Sequence, residues 1–499
     1  MTYRSCSLTL VALVVAASLG ASAKGQDNNN CFSIVVGKRA SSDGHMMVAH
    51  NEDDWPPQVV NHHKVPRRQF QPGDSITLLN GGRVEQVTET WSYLWSEMPG
   101  MRFSDSYLNE WGVSIFSDAC PSREDKPELT DGGICYHLRR LVAERARSAR
   151  EGVHIAAGLV ERFGYAASGR TYIIADTTEG WFFCAVNGKH WAARRVPDDS
   201  VAMIANTYSI REMDLADTVN FLASSDLIEY ANARGWYGRT AGSKFDFAAA
   251  YSNPADAVDL RNTGRQWAGY RQVLSSLPVP SENENSLPFC VAPERKLHPR
   301  DLMKTLRDHY EATPFLQPEA LAGHPHDQSI TPICRHDTQT SFVMQLRSGL
   351  PVDIGCLYWM CLGSPCASVY LPYYFGLDAF PGTWYTQAEV PDEQTYQTLV
   401  RRKVTFSDGP TFWNFSRLRT LAEEKPVSLA LKIREVAASF EERAFAQQAE
   451  AEKTAFKLLQ SGSGREVIPL LDGFSLGLQV SALEALQEAV DNFSQVPER

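Results

Sequence analysis

Apolar and polar positions divide this chain into stretches of different period. Leu8 to Gly20 is an almost uncharged apolar run behind Arg4, closed by Ala21-Ser22-Ala23 and followed by the polar stretch Lys24 to Asn30. A run this short, with small residues behind it, has the pattern of a cleavable export signal over residues 1–23 rather than of a membrane-spanning helix. Phe32, Ile34 and Val36 then recur at period two, Ser41-Ser42-Asp43-Gly44 carries turn chemistry, and Met46 to Ala49 resumes the apolar run. Together they predict a hairpin from Cys31 to His50-Asn51-Glu52-Asp53. Further strands are predicted over 171–175, 180–186, 201–205, 341–346 and 355–362, and helices over 133–149 and 302–313. Strands and helices mix without a regular βαβ rhythm, so the class is α+β.

Pro278, Pro280 and Pro288 with the polar run Ser281 to Ser286 mark a surface loop. From Pro426 the period changes. Leu429, Ile433, Val436 and Phe440 fall at helical spacing, Ser461-Gly462-Ser463-Gly464 breaks the pattern, and a second helix is predicted from Val480 to Phe493. No later stretch has the ~18 uninterrupted apolar residues of a further span, so no integral membrane segment is expected in the mature chain.

Charge narrows the partners. A net charge of −11 over 499 residues and a pI near 5.6 argue against nucleic acid as the main partner, since phosphate binding needs clustered Lys and Arg. Of the ten cysteines, nine follow residue 30. Outside the cytosol an odd number predicts a set of disulfides, of open pairing, beside one unpaired thiol.

No G-x-S-x-G, Walker A, G-x-G-x-x-G or H-E-x-x-H motif occurs. His62-His63 and His324-Pro325-His326-Asp327 lack the i, i+4 spacing of helical metal ligands and read as loop histidines. No metal and no organic cofactor is expected. Cys31 is the informative position, directly before the first strand and directly after Asn28-Asn29-Asn30. A cut between Asn30 and Cys31 would put a thiol and a free α-amine on one residue. The amine, with a reference pKa of about 7.7–8.0, suits a general base for a thiol of about 8.5. Read alone, Cys31 is either such a nucleophile or one half of a disulfide.

Cys31-Phe32-Ser33-Ile34-Val35-Val36-Gly37-Lys38-Arg39-Ala40-Ser41, Asp43-Gly44 and Asn51-Glu52-Asp53 resemble the start of the peptidase family C69 dipeptidases. These are N-terminal nucleophile hydrolases, similar to secernins and more distantly to penicillin V acylase and bile salt hydrolase. The resemblance continues through Asn109-Glu110-Trp111-Gly112-Val113, Arg195-Val196-Pro197-Asp198-Asp199, Ala205-Asn206 and Leu362-Gly363-Ser364-Pro365-Cys366-Ala367-Ser368-Val369-Tyr370. It implies a four-layer αββα sandwich with Cys31 as nucleophile. It also implies that Asp53 holds the amine and thiol in place and that Asn206 stabilises the oxyanion, a contribution of about 3 kcal/mol. The acylase relatives carry arginine where this chain has His50, so either that role has moved or His50 helps select the substrate. Arg335 is a further acylase-like arginine whose spacing does not fix its role, and Asp118-Ala119 stand where a second oxyanion asparagine is expected.

The expected organisation is a signal peptide over 1–23, a propeptide over 24–30, the catalytic domain over 31–425 and a helical C-terminal extension over 426–499. The expected activity is that of an exported cysteine dipeptidase, working in a periplasm, the extracellular space or an endolysosomal lumen on a dipeptide or small amide. Two alternatives stand beside it: an amidase for N-acyl substrates, and a non-catalytic exported binding protein. Assembly as a homo-oligomer is left open.

Overall fold

The computed structural model describes residues 31–53, 61–97, 104–238, 244–282, 284–317, 325–326, 328–378, 414–415, 418–421 and 427–494. The expected signal peptide, the propeptide and the boundary at 425/426 lie outside them.

The first hairpin organises the centre of the fold. Asp43 Oδ1 accepts from Ser41 Oγ at 2.9 Å and from the His45 amide at 3.1 Å, and Gly44 takes φ +80°. A side chain that bonds the backbone two residues on, next to a residue free to adopt positive φ, closes the turn. The flanking strands Phe32–Val36 and Met46–Asp53 pair antiparallel with Ser33 opposite His50 and Phe32 opposite Asn51. They sit inside a seven-stranded sheet in the order Cys290–Val291, Val201–Ile204, Phe32–Val36, Met46–Asp53, Thr338–Leu346, Cys356–Leu362, Leu371–Tyr374. A second sheet of eight strands runs Phe221–Ala223, Trp191–Arg195, Gly180–Gly188, Tyr165–Ala175, Ser114–Ala119, Ser104–Asn109, Tyr93–Glu97, Asn61–Val65. Every pairing in both sheets is antiparallel, in keeping with the mixed α and β class.

Ile34, Val36 and Val48 of the first sheet share one apolar core with Phe116, Ile173 and Phe182 of the second. The other face of the eight-stranded sheet packs on helices His137–Arg145 and Ala149–Phe163 through Leu138, Leu141, Val142, Val153 and Val160. Helices Leu260–Tyr270 and Pro299–Leu306 contribute Trp267, Leu302 and Leu306 to the core of the seven-stranded sheet.

Two helices depart from their sequence pattern. The one expected over 133–149 is interrupted: Ala146 is extended, and Ser148 caps a new helix by accepting from the Glu151 amide. The one expected over 302–313 begins earlier, at Pro299 behind a capping box made by His298 and Asp301, and stops at Leu306, beyond which Tyr310 and Ala312 have positive φ.

The chain ends in two long helices, Val427–Gln460 and Val467–Ser494, the second starting well before Val480. Buried ion pairs tie the first to the seven-stranded sheet. Glu441 meets Arg307 at 2.6 Å and accepts from the Tyr370 amide at 2.8 Å, while Glu452 meets Arg347 at 2.7 Å. By length and composition Gly464–Asn492 is apolar enough to cross a membrane. Here its Leu471, Leu478, Ala482 and Leu486 are buried, and Gln479 accepts from Tyr373 of the Leu371–Tyr374 strand at 2.8 Å.

Among the described residues all nine cysteines are free thiols, so the expected disulfide set is not formed. Cys356 and Cys361, five residues apart on one strand, point to opposite faces. Cys334 and Cys366 converge on a histidine instead.

Candidate active site

Side chains two residues apart on a strand share a face, so the hairpin register brings Cys31 and Ser33 against His50 and Glu52. Cys31, 1% exposed, points its Sγ at Glu52 Oε2 over 3.4 Å. Glu52 Oε2 lies 3.1 Å from His50 Nε2, and His50 Nδ1 lies 2.8 Å from Ser33 Oγ. Ser33 Oγ in turn donates to Asp118 Oδ2 at 2.5 Å, across from the second sheet. The single hydroxyl proton of Ser33 goes to Asp118, so Ser33 accepts from His50 Nδ1–H. A second proton must then lie between His50 Nε2 and Glu52 Oε2. The result is one buried line, Asp118–Ser33–His50–Glu52–Cys31.

The structure places His50 in the middle of this line. The imidazole is fully buried between the rings of Phe116 and Phe342, at 5.1 and 5.5 Å, and both its nitrogens are engaged inside the protein. Its Nε2 contact ties the ring to Glu52, next to Cys31.

Asp53 turns to the other side of its strand. Its Oδ1 accepts from Thr338 Oγ1 at 2.6 Å, and Arg335 Nε lies 3.8 Å from its Oδ2, which is buried with no hydrogen-bond partner among the described residues. Burial pushes the Asp53 carboxyl up to about 7, with Arg335 opposing and Asp337 adding to the rise. Arg335 is itself forked onto Asp337 through two 2.6 Å bonds. Asn51 beside it ties the strand outward, donating to Leu306 O and Ile333 O at 3.0 and 3.1 Å.

Asn206 follows the strand Val201–Ile204, donates one Nδ2 proton to Ala119 O at 2.8 Å and accepts at Oδ1 from Arg265 Nη2 at 2.8 Å. Arg265 Nη1 also donates to Cys31 O at 3.1 Å. One fully buried guanidinium therefore fixes both Cys31 and Asn206, and burial lowers its pKa. Cys31, Asp53 and Asn206 thus share one neighbourhood, with Arg335 at its edge.

Sequence reasoning did not single out Glu52, Ser33 or Arg265. Period two through His50 and Glu52 carried the signal for the first two. Arg265 had only a charge among Gly264, Trp267 and Ala268 of a packed helix.

Two clusters have the donor set of a metal site: Cys31, His50 and Glu52, and separately His309, His326, Cys334 and Cys366. A cavity of about 680 Å³ lies between helices Pro299–Leu306 and Val427–Gln460, lined by Arg300, Lys304, Arg307 and Glu441. No residue of the Cys31 cluster lines it, so its size does not make it the reaction site.

The comparisons with known proteins give the class of this chain. The model of peptidase family C69 matches residues 122–424, and the chain belongs to this family of cysteine-type peptide-bond hydrolases. It is 28% identical to a probable dipeptidase of Salmonella dublin over 361 residues, covering 70% of this chain and 81% of the relative. A probable dipeptidase of Latilactobacillus sakei is 26% identical over 388 residues, covering 73% and 77%. A probable dipeptidase B of Streptococcus pyogenes serotype M1 is 23% identical over 450 residues, covering 86% of each chain. Among solved structures, a mutant conjugated bile acid hydrolase from Clostridium perfringens aligns with TM-score 0.36 and 11% identity over 69% of this chain and 92% of its own. Penicillin V acylase from Agrobacterium tumefaciens aligns with TM-score 0.34 and 11% identity over 70% and 87%.

Proposed function

We propose that this C69 peptidase is an exported cysteine dipeptidase whose nucleophile is Cys31, made N-terminal by a cut at Asn30–Cys31. The observation that carries the reading is Asp53 Oδ2, a buried carboxylate oxygen without a hydrogen-bond partner, on the residue whose carbonyl lies 3.9 Å from Cys31 Sγ. An α-ammonium created at Cys31 supplies the hydrogen-bond donor that this oxygen lacks, adds its charge to that of Arg335 at 3.8 Å, and draws the Asp53 pKa back down. Before the cut the nitrogen is an amide and offers neither a charge nor a base.

In the mature chain the α-amine takes the thiol proton, and the thiolate sulfur attacks the peptide carbonyl carbon as the C=O π pair moves onto oxygen. Asn206 spends one amide proton on Ala119 and keeps a second for that oxyanion, with Arg265 holding the amide in orientation. The ammonium then protonates the leaving amine as the C–N bond breaks. Water, deprotonated by the same amine, cleaves the thioester and restores the thiol. His50 and Glu52 position the sulfur from its other side.

The order helix, sheet, sheet, helix supports a four-layer αββα sandwich as the scaffold, followed by the C-terminal helix pair. A dipeptide is the proposed substrate because the Salmonella, Latilactobacillus and Streptococcus relatives are named probable dipeptidases. Export, in this reading, follows from residues 1–23. The test is a panel of dipeptides against N-acyl amino acids, with and without alkylation of Cys31. Alkylation-sensitive turnover of dipeptides is expected; turnover confined to N-acyl substrates overturns the dipeptidase reading.

A further inference from the structure

The second thiol–imidazole cluster plays no part in that chemistry. His309, His326, Cys334 and Cys366 each offer one donor atom, and the four atoms lie within 4.8 Å of one another. They come from four separate places: the loop after helix Pro299–Leu306, an isolated loop position, the approach to strand Thr338–Leu346, and the short turn Pro365–Ala367. Cys366 Sγ is 3.3 Å and Cys334 Sγ 3.7 Å from His326 Nε2. Metal bonds of about 2.3 Å to sulfur and about 2.0–2.1 Å to nitrogen, at a tetrahedral angle, place S and N about 3.5 Å apart. The observed pair of distances brackets that value.

His309 is already oriented as a ligand. Its Nδ1 donates to Glu311 Oε1 at 3.1 Å, so the approach of Arg434 Nη2 to 3.3 Å is a packing contact, and the ring also meets Cys366. A carboxylate on one imidazole nitrogen fixes the tautomer that leaves the other as a metal ligand.

We propose that these four residues bind one Zn²⁺ as a closed structural site. Two thiolates and two imidazoles are the donor set that favours zinc in tetrahedral geometry. Binding forms two Zn–S and two Zn–N bonds and releases two protons, leaving a buried site with no net charge. The metal cross-links segments that bear on Asp53: Cys334 precedes Arg335, and Ser364, two residues before Cys366, donates to Arg335 O at 2.5 Å. Zinc therefore holds Arg335 beside Asp53 without touching the reacting atoms.

The test is metal analysis of the purified full-length protein, as isolated and after incubation with Zn²⁺ and desalting. Stoichiometric zinc is expected in the wild type, with loss in His326→Ala and in Cys334→Ser. Co²⁺ substitution should give a thiolate-to-metal charge-transfer band that the double variant Cys334→Ser/Cys366→Ser lacks. Protein that stays metal-free after incubation overturns the proposal. So does a Cys334–Cys366 disulfide in non-reducing peptide maps of the protein as isolated. Thermal melting of His326→Ala separates the two chemistries, since losing this imidazole removes a zinc ligand but leaves a disulfide intact.

Discussion

The two buried thiol–histidine clusters are built from similar side chains and arrive at them differently. Cys31, His50 and Glu52 come from one hairpin, set by a two-residue period and one Asx turn. His309, His326, Cys334 and Cys366 come from four segments, the outer two 57 positions apart. In the first cluster each polar atom is bonded to the next along a line that ends at Asp118, which suits moving or holding protons. In the second, four donor atoms lie within 4.8 Å of one another, with Cys366 against both imidazoles. In this reading the bonding pattern, rather than the composition, separates the proposed nucleophile from the proposed ligands.

Replacing Cys31 tests the contrast most severely. Cys31→Ala should abolish dipeptide turnover, a loss of at least ~10⁴ in kcat, while leaving the zinc content unchanged. Loss of zinc in this variant would merge the two clusters into one functional unit. Asn206→Ala should lower kcat by about 10²–10³ with a smaller effect on KM, as expected for a donor used mainly in the transition state. An equal rise in KM with unchanged kcat would make Asn206 a ground-state contact.

Asp53 gives a pH signature to the uncut chain. Its carboxyl goes from 3.8 to about 7 on folding, so the folded state favours the protonated form. The stability it allows is full below pH 3.8, is lost as pH rises toward about 7, and is constant above that. On the Cys31→Ala background, which stays uncut if Cys31 itself makes the cut, Asp53→Asn should therefore raise the melting temperature at pH 8 by a stability increment on the order of a few kcal/mol. At pH 4 the two proteins should melt alike. A uniform shift at both pH values would assign Asp53 a packing role instead. The smallest effect is expected at the distant cluster: Cys334→Ser should lower the melting temperature and reduce kcat/KM only severalfold, through Arg335.

Local patterns made the hairpin readable. The apolar period, the Ser41–Gly44 turn and the Cys31 position each act within a few residues, and the C69 resemblance added Asp53 and Asn206. The strand Ser114–Ala119 was not readable, because Ser114, Ser117 and Asp118 break its apolar alternation. They are buried because Arg139 and Arg170 donate to Ser117, and Asp118 accepts from Ser33. Arg265 was hidden for the same reason: its partners Cys31 and Asn206 lie 234 and 59 residues away in the chain. His326 read as a loop histidine because its companions at positions 309, 334 and 366 have no common spacing. Helix 302–313 overran because the apolar pattern does not record that Arg307 leaves the helix to reach Pro365 O, Ser368 O and Glu441.

The central claim is that catalysis begins only when Cys31 carries a free α-amine beside Asp53. N-terminal sequencing of the active protein, with intact mass, tests it most directly. A mature chain beginning at Cys31, whose appearance coincides with dipeptide turnover, is the predicted result. Full turnover by a chain that still carries residues 24–30 would contradict the account.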